Sequence, residues 1–172
     1  GWFIVRKTLR NFAPLMKTYF LQVQKIVQET EDTVSIHFWH PINEQIRYQA
    51  GQFLTVLIPG NEGKKIRRSY SMSSSPATDS AVAITVKRVK GGQVSHYLCD
   101  KVREGDFIEV IEPMGRFIYE QPHEGKLVMI AAGSGITPLF SILKTVLKTT
   151  DRSVLLIYGN RDEKNIIFKE KL

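Results

Sequence analysis

One cysteine in 172 residues, Cys99, rules out an internal disulfide framework, a four-cysteine zinc site and an iron–sulfur cluster held by this chain's thiolates alone. So few thiols suit a reducing compartment, and a cytoplasmic location is expected. Long hydrophobic runs are missing too: Trp2-Phe3-Ile4-Val5, near the start, is too short for a membrane span or a signal-peptide core. Acids are absent from the first twenty residues, which carry Arg6, Lys7, Arg10 and Lys17. Residues 1–18 read as a basic extension; its Trp and Phe would let it sit beside a membrane headgroup layer, but a solvated tail is the commoner use of such a segment. The chain starts at Gly1 rather than a methionine and is expected to be a piece of something longer.

What is present is an ordinary globular composition, with 42% apolar residues, 24 Lys+Arg against 17 Asp+Glu and a net charge of +7. From Tyr19 apolar and polar residues alternate, first over Phe20 to Lys25 and then over Val34 to Trp39. Period two predicts half-buried strands. Further strands are expected over Gln52 to Ile58, Lys65 to Ser74, Val82 to Val89 and Phe107 to Glu112, and six short strands at that spacing suggest a closed barrel. Val94, Tyr97, Leu98 and Lys101 fall at helical spacing, which predicts one short helix over Val94 to Val102.

After Gln121-Pro122-His123-Glu124-Gly125 the pattern changes. Leu127 to Ala132 is a continuous apolar run, as in a parallel strand buried on both faces. Thr137 as cap and Pro138 in the first turn predict a helix whose buried face is Leu139, Leu143, Val146 and Leu147, and Val154 to Tyr158 reads as a second strand. Arg161 to Leu172 looks like the start of another helix, and Ser71 to Ser80 like a short polar loop. The domains are expected at 19–122 and 123–172.

Four segments have chemical interest. Arg67-Arg68-Ser69-Tyr70-Ser71 combines guanidinium groups suited to phosphate with a ring suited to a flat heterocycle; taken alone, it also reads as a basic strand with a buried tyrosine. Strict alternation puts Arg68 and Tyr70 on one face and Ser71 on the other. Lys90-Gly91-Gly92-Gln93-Val94-Ser95 opens the short helix and offers backbone amides to an anion, or merely turns the chain with Ser95 as cap. Gly133-Ser134-Gly135-Ile136-Thr137-Pro138 is a strand–turn–helix junction that departs from the dinucleotide fingerprint, because Pro138 replaces its third glycine and no acid closes the second strand. His37, His40, His96 and His123 have no cysteine or carboxylate at metal spacing, so no metal is assigned; His37 and His40 are expected to face solvent, and Cys99 to be a small buried hydrophobe.

In order and spacing, Tyr48-x-x-Gly51-Gln52-Phe53, Arg68-Ser69-Tyr70-Ser71, Val86-Lys87-Arg88-Val89, Gly91 to Ser95, Pro113-Met114-Gly115-Arg116-Phe117 and Ala132 to Pro138 resemble the ferredoxin reductase-type flavoproteins. Tyr158-Gly159-Asn160-Arg161 extends the likeness, which is greatest to phenylacetyl-CoA-type oxygenase reductases and the flavohaemoglobin reductase half. The resemblance implies a fold that is mainly β with an α/β part: a six-stranded antiparallel flavin-binding barrel, then a partial, truncated parallel α/β nicotinamide-binding domain. It implies FAD and NADH or NADPH as cofactors, hydride transfer to flavin N5, and release of single electrons to a ferredoxin, iron–sulfur domain or oxygenase outside this chain. By motif, Arg68 would pair with the FAD pyrophosphate, Tyr70 pack on the isoalloxazine and Ser71 bond near N5, with Ser69 beside them. Gly91, Gly92, Gln93, Val94 and Ser95 would hold the pyrophosphate, Val86 and Lys87 line the site, and Tyr48 touch a ring. Thr137 would sit near the nicotinamide; Gly133, Ser134, Gly135, Asn160 and Arg161 would serve the same nucleotide. The family's Cys-Gly motif near the nicotinamide has no counterpart here, so FAD is expected to bind better than nicotinamide nucleotide.

Two other readings compete. A basic barrel with exposed aromatics also describes a nucleic-acid-binding module, but that reading leaves the strand–helix–strand unit unexplained, so no nucleic-acid partner is expected. A flavin-bearing electron-transfer subunit without its own NAD(P)H activity is the other. The +7 charge favours an acidic electron-transfer partner.

Overall fold

Alternating sequence produces six antiparallel strands: β1 (Thr18–Thr30), β2 (Thr33–Trp39), β3 (Phe53–Pro59), β4 (Lys65–Ser71), β5 (Val82–Lys87) and β6 (Phe107–Met114). The computed structural model describes residues 16–39, 46–120 and 125–172, so the segment from Trp2 to Arg10, His40 and His123 lie outside the described residues. The strands form one sheet in the order β4-β3-β6-β1-β2-β5. Its inner face packs Leu21, Ile36, Leu54, Met72, Ile84, Leu98 and Val110 into one core. Each such side chain contributes about 1.5–3 kcal/mol relative to exposure.

The two edge strands do not share a ladder. They meet at one isolated bridge, Met72 to Ile84, with Ser73 N–H donating to the Ala83 carbonyl at 2.8 Å. The sheet therefore curls toward a barrel but keeps a seam between β4 and β5. The expected helix over Val94 to Val102 divides into α1 (Gln93–His96) and a π-helical turn (Tyr97–Lys101), which lets Val94 and Leu98 both reach the core.

The second unit is β7 (Leu127–Ala132), a 3₁₀ turn (Gly133–Gly135), α2 (Ile136–Thr149) and β8 (Val154–Gly159), with β7 and β8 parallel. Three expectations need correcting here. β7 is not buried on both faces: α2 covers Met129 and Ala131, while Val128 and Ile130 are 54% and 71% exposed, because one helix covers one side of a two-stranded sheet. Leu147 lies off the buried face of α2, 61% exposed; the helix buries Ile136, Phe140, Ile142 and Val146. Residues 161–172 form two 3₁₀ turns instead of a helix, since Phe168 adopts φ 63° and stacks its ring on Phe140 at 4.2 Å.

Apolar contact between the units centres on Ala50, which packs with Met129, Ile142 and Val146. Gly51 makes the approach feasible: φ is +99°, and a Cβ there would lie 2.1 Å from the Phe117 carbonyl oxygen. Leu54→Ala is expected to lower unfolding stability by about 2–5 kcal/mol, and Ile130→Ala to change it by less than about 0.5, both read from urea transitions.

Candidate nucleotide-binding site

The seam between β4 and β5 collects the motifs. In β4, Arg68 stands opposite Val56 and Tyr70 opposite Leu54, so both share the core-side face, as alternation requires, and Ser71 lies on the other with Phe53. An inward arginine is tolerated because β4 is an edge strand, open beyond its side chain. Arg68 is exposed; its Nη1 donates to the Arg67 carbonyl at 2.8 Å, and no ion pair involves it among the described residues. Tyr70 is half-buried against the core, and burial pushes its phenol up to about 12, with Cys99 adding and Arg68 opposing. The phenol is therefore neutral and able to donate. Ser69 is engaged with Thr55, Oγ to Oγ1, at 3.0 Å.

On the other side of the seam, Val86 pairs with Val34 and is fully buried, and Val94 is buried as well. Their side chains face the core, where the hydrophobic effect drives them, so neither side chain is open to a ligand. Lys87 pairs with Asp32 at 3.3 Å, and Arg88 with Asp100 at 2.5 Å, leaving the buried Arg88 Nε without a partner among the described residues. Gly92, not Ser95, is the N-cap of α1. Ser95 braces the turn from inside the helix: Oγ donates to the Gly92 carbonyl at 3.0 Å and accepts from Val89 N–H at 3.1 Å. A Cβ on Gly92 would lie 2.6 Å from that oxygen, whereas one on Gly91 would meet open space. No side chain caps α1, whose Gln93 is exposed, and its Cα atoms come within 8 Å of β4. Tyr48 is half-buried and donates to Ser74 Oγ at 2.7 Å; burial pushes it up to about 12.

The Gly133–Gly135 turn lies on the second unit at the carboxyl ends of β7 and β8, within 8 Å of β5 between Cα atoms. Carboxyl ends of parallel strands are where open α/β sheets bind ligands. Gly135 caps α2; Thr137, the expected cap, is buried inside the first turn with Oγ1 donating to the Ser134 carbonyl at 2.8 Å. Open space faces both Gly133 and Gly135 where side chains would stand. Tyr158 Oη donates to the Gly133 carbonyl at 2.9 Å. Nearby in sequence, Asn160 Oδ1 is buried without a partner among the described residues, and Arg161 is exposed. An orphaned acceptor at this end of the strands fits a ligand donor. The start of α1, where no side chain caps the helix, the Arg68 guanidinium, which has no ion pair among the described residues, and bare glycine backbone likewise fit a dinucleotide.

His37 is half-buried rather than solvent-facing, beside a cleft of about 350 Å³ that Phe140, Lys144 and Lys171 also line. His96 is exposed and pairs with Asp100 at 3.1 Å. Cys99 is half-buried; burial pushes its thiol up to about 11, and Sγ donates to the Val86 carbonyl at 3.6 Å. No cluster of three metal-ligating side chains occurs among the described residues. Missing from the expected site were Ser74, Ser75 and Tyr158. The run of serines after β4 was the available signal for the first two.

An open-seamed antiparallel barrel followed by a strand–turn–helix–strand unit with a bare glycine turn defines a two-part flavin- and nicotinamide-binding oxidoreductase. Residues 20–119 match the oxidoreductase FAD-binding domain and residues 129–172 the oxidoreductase NAD-binding domain, so the chain belongs to this family of oxidoreductases. It is 42% identical to the ferredoxin reductase component of 3-ketosteroid-9-alpha-monooxygenase from Rhodococcus rhodochrous, over 91% of this chain and 45% of that protein. It is 39% identical to a 1,2-phenylacetyl-CoA epoxidase subunit from Escherichia coli strain K12, over 88% of this chain and 44% of that one. The flavohem-like FAD/NAD-binding domain of nitric oxide dioxygenase from Vibrio cholerae O1 biovar El Tor superposes with a TM-score of 0.82 at 28% identity, covering 89% of this chain and 67% of that one. The chain thus spans a little under half the length of these two curated relatives.

Burial depresses the pKa of His37, helped by Lys171 and Lys25 and opposed by Asp79 and Glu29. The unfolded chain, with a histidine pKa of about 6.5, then binds the proton more readily than the folded one. Stability from this group is fully present above that pH and falls as pH drops below it. Urea midpoints are expected to decline from about pH 6.5 to 5 in the wild type, and less steeply in His37→Gln.

Proposed function

We propose that this chain is the flavin-holding and nicotinamide-reading part of an NAD(P)H-dependent reductase that passes electrons singly to a redox partner. The observation that carries this reading is the convergence on β4 and β5 of three elements: the Arg68–Tyr70 edge, the uncapped start of α1 and the Gly133–Gly135 turn. Residues 19–122 are the FAD unit, and 123–172 belong to the nicotinamide unit. Bound FAD would supply hydride acceptance from the nicotinamide and one-electron release to an acceptor.

The protein's share is to bind and orient. Arg68, paired with no carboxylate among the described residues, pairs with the pyrophosphate, and the amides of Gly91, Gln93, Val94 and Ser95 complete its cradle, with Gly92, whose N–H is committed to the Val89 carbonyl at 2.9 Å, giving bare backbone between them. The Lys87 side chain reaches the ligand only by loosening from Asp32, so Lys87 serves through backbone, and Val86 lines the site from within the strand. Tyr70 presents a ring whose neutral phenol brings no charge, and Ser71 donates a hydrogen bond at the strand end. Tyr48 offers only its ring, since its hydroxyl is committed to Ser74. Gly133, Ser134 and Gly135 give the second nucleotide close backbone approach; Thr137 holds their turn, and Asn160 Oδ1 and Arg161 face its ribose and phosphates. The acceptor is an acidic ferredoxin, iron–sulfur domain or oxygenase, drawn by the +7 charge. The compartment is the cytoplasm. No helix among the described residues is long and apolar enough to cross a membrane.

The test is an anaerobic visible spectrum of the purified chain, followed by NADH and then NADPH. Yellow protein bleached by either nucleotide is the expected result. Yellow protein that stays oxidised points to an electron-transfer subunit, and colourless protein that takes up no FAD overturns the reading. Arg68→Ala is expected to weaken FAD binding at least about tenfold, as loss of a charge-assisted pair would, and Lys17→Ala to leave it within about twofold. Reduction of an acidic acceptor such as a ferredoxin should slow as ionic strength rises; a flat profile removes the steering argument.

A further inference from the structure

Apolar contact between the two units centres on Ala50, and polar contacts join them as well: Lys171 with Glu29 at 2.7 Å, Arg152 Nη1 donating to Tyr119 Oη at 2.9 Å, and a cluster between α2 and the loop after β4 whose hydroxyls are buried. Ser141 and Thr145 lie one helical turn apart on α2, with Lys144 between them, and all three face the loop that follows β4. Ser141 Oγ donates to the Ser74 carbonyl at 2.5 Å, and Ser75 Oγ meets Thr145 Oγ1 at 2.7 Å. Lys144 pairs with Asp79, whose Oδ2 also accepts from Ser75 N–H at 2.6 Å.

The hydroxyl protons can be followed. Thr145 donates to the Ser141 carbonyl at 3.0 Å, and Ser75 Oγ accepts from Ala77 N–H at 3.1 Å, so the Ser75 proton goes to Thr145. Ser75 and Ser141 are fully buried, and Ser74 nearly so. The loop is equally tied to the barrel, since Ser74 Oγ accepts from Tyr48 Oη and from Ala83 N–H at 2.9 Å.

Position gives this seam its meaning. Ser74 lies three residues beyond Ser71 and Ser141 four beyond Thr137, so each half is anchored within four residues of its own proposed reacting segment. Resting on the proposed hydride transfer, we propose that Ser75, Ser141 and Thr145 are positioning residues that fix the Gly133–Thr137 junction against the end of β4 and so set the distance from nicotinamide to flavin. Hydrogen bonds suit the task better than apolar packing, because they tolerate little sliding and are costly to leave unmade once buried.

The test uses the full chain with FAD bound. Thr145→Val keeps the shape and removes the hydroxyl, leaving the Ser75 proton without an acceptor; Thr145→Ser keeps the hydroxyl. Thr145→Val, alone and with Ser141→Ala, is expected to slow flavin reduction by saturating NADH or NADPH at least about tenfold in stopped flow, with FAD affinity within about twofold of wild type. Thr145→Ser restores the rate. Amide hydrogen exchange is the readout independent of turnover: in Thr145→Val it should rise about tenfold or more over residues 74–79 and 136–145 and stay unchanged in β3. Unchanged exchange, or a wild-type reduction rate in the double variant, overturns the proposal. If wild-type protein holds FAD but neither nucleotide reduces it, the functional reading has failed, and exchange alone decides whether the seam fixes the two units.

Discussion

The barrel does not close, and the rest of the molecule is arranged around that fact. Where β4 and β5 meet, one bridge at Met72 and Ile84 replaces a ladder, so each strand keeps an edge free to face something else. Arg68 can lie on the core-side face of β4 only because that edge is open; in a closed sheet its charge would need a buried partner or be expelled. α1 stands beside the same edge, and the loop from Ser73 to Asp79 is the chain's detour around it.

α2 is the second organising element, and its two sides obey different physics. One side holds β7 and β8 through Ile136, Phe140 and Val146, as area burial alone would dictate. Its polar stripe of Ser141, Lys144 and Thr145 faces the barrel and makes directional bonds instead. Ala50 and Gly51 supply the small contact that lets helix and barrel approach at all.

Charge follows a division of labour. Lys87, Arg88 and Lys144 are each matched by an aspartate, pairs that are partly exposed and add little stability. Arg67 and Arg68 are left exposed beside the seam, so the net positive charge has a local face as well as a total. The raised phenols of Tyr48 and Tyr70 and the raised thiol of Cys99 come from the same half-dry surroundings, which hold these groups neutral.

Period-two alternation located β1 and β2, and turn-bounded apolar segments located β3 to β6, though β1 runs on to Thr30, because strand spacing and turns are written locally while strand ends depend on pairing partners. Glycines at 91, 92, 133 and 135 marked both turns for a similar local reason: backbone that must stay bare has one residue type that keeps it so. Burial was harder to read. Nothing in Leu127 to Ala132 tells which face a single helix will cover, and the apolar face around Ile130 stays open only because of how many elements stack there. Nor does sequence say that Val86 and Val94 turn inward, or that Phe168 will reverse the chain to stack on Phe140. Least legible was the polar seam: Ser75 and Thr145 are seventy residues apart and meet only once both units have folded. The chain by itself determined its strands, turns and order of motifs, since those depend on neighbours; tertiary structure alone decided which hydroxyls became buried partners, since that depends on what packing brings together.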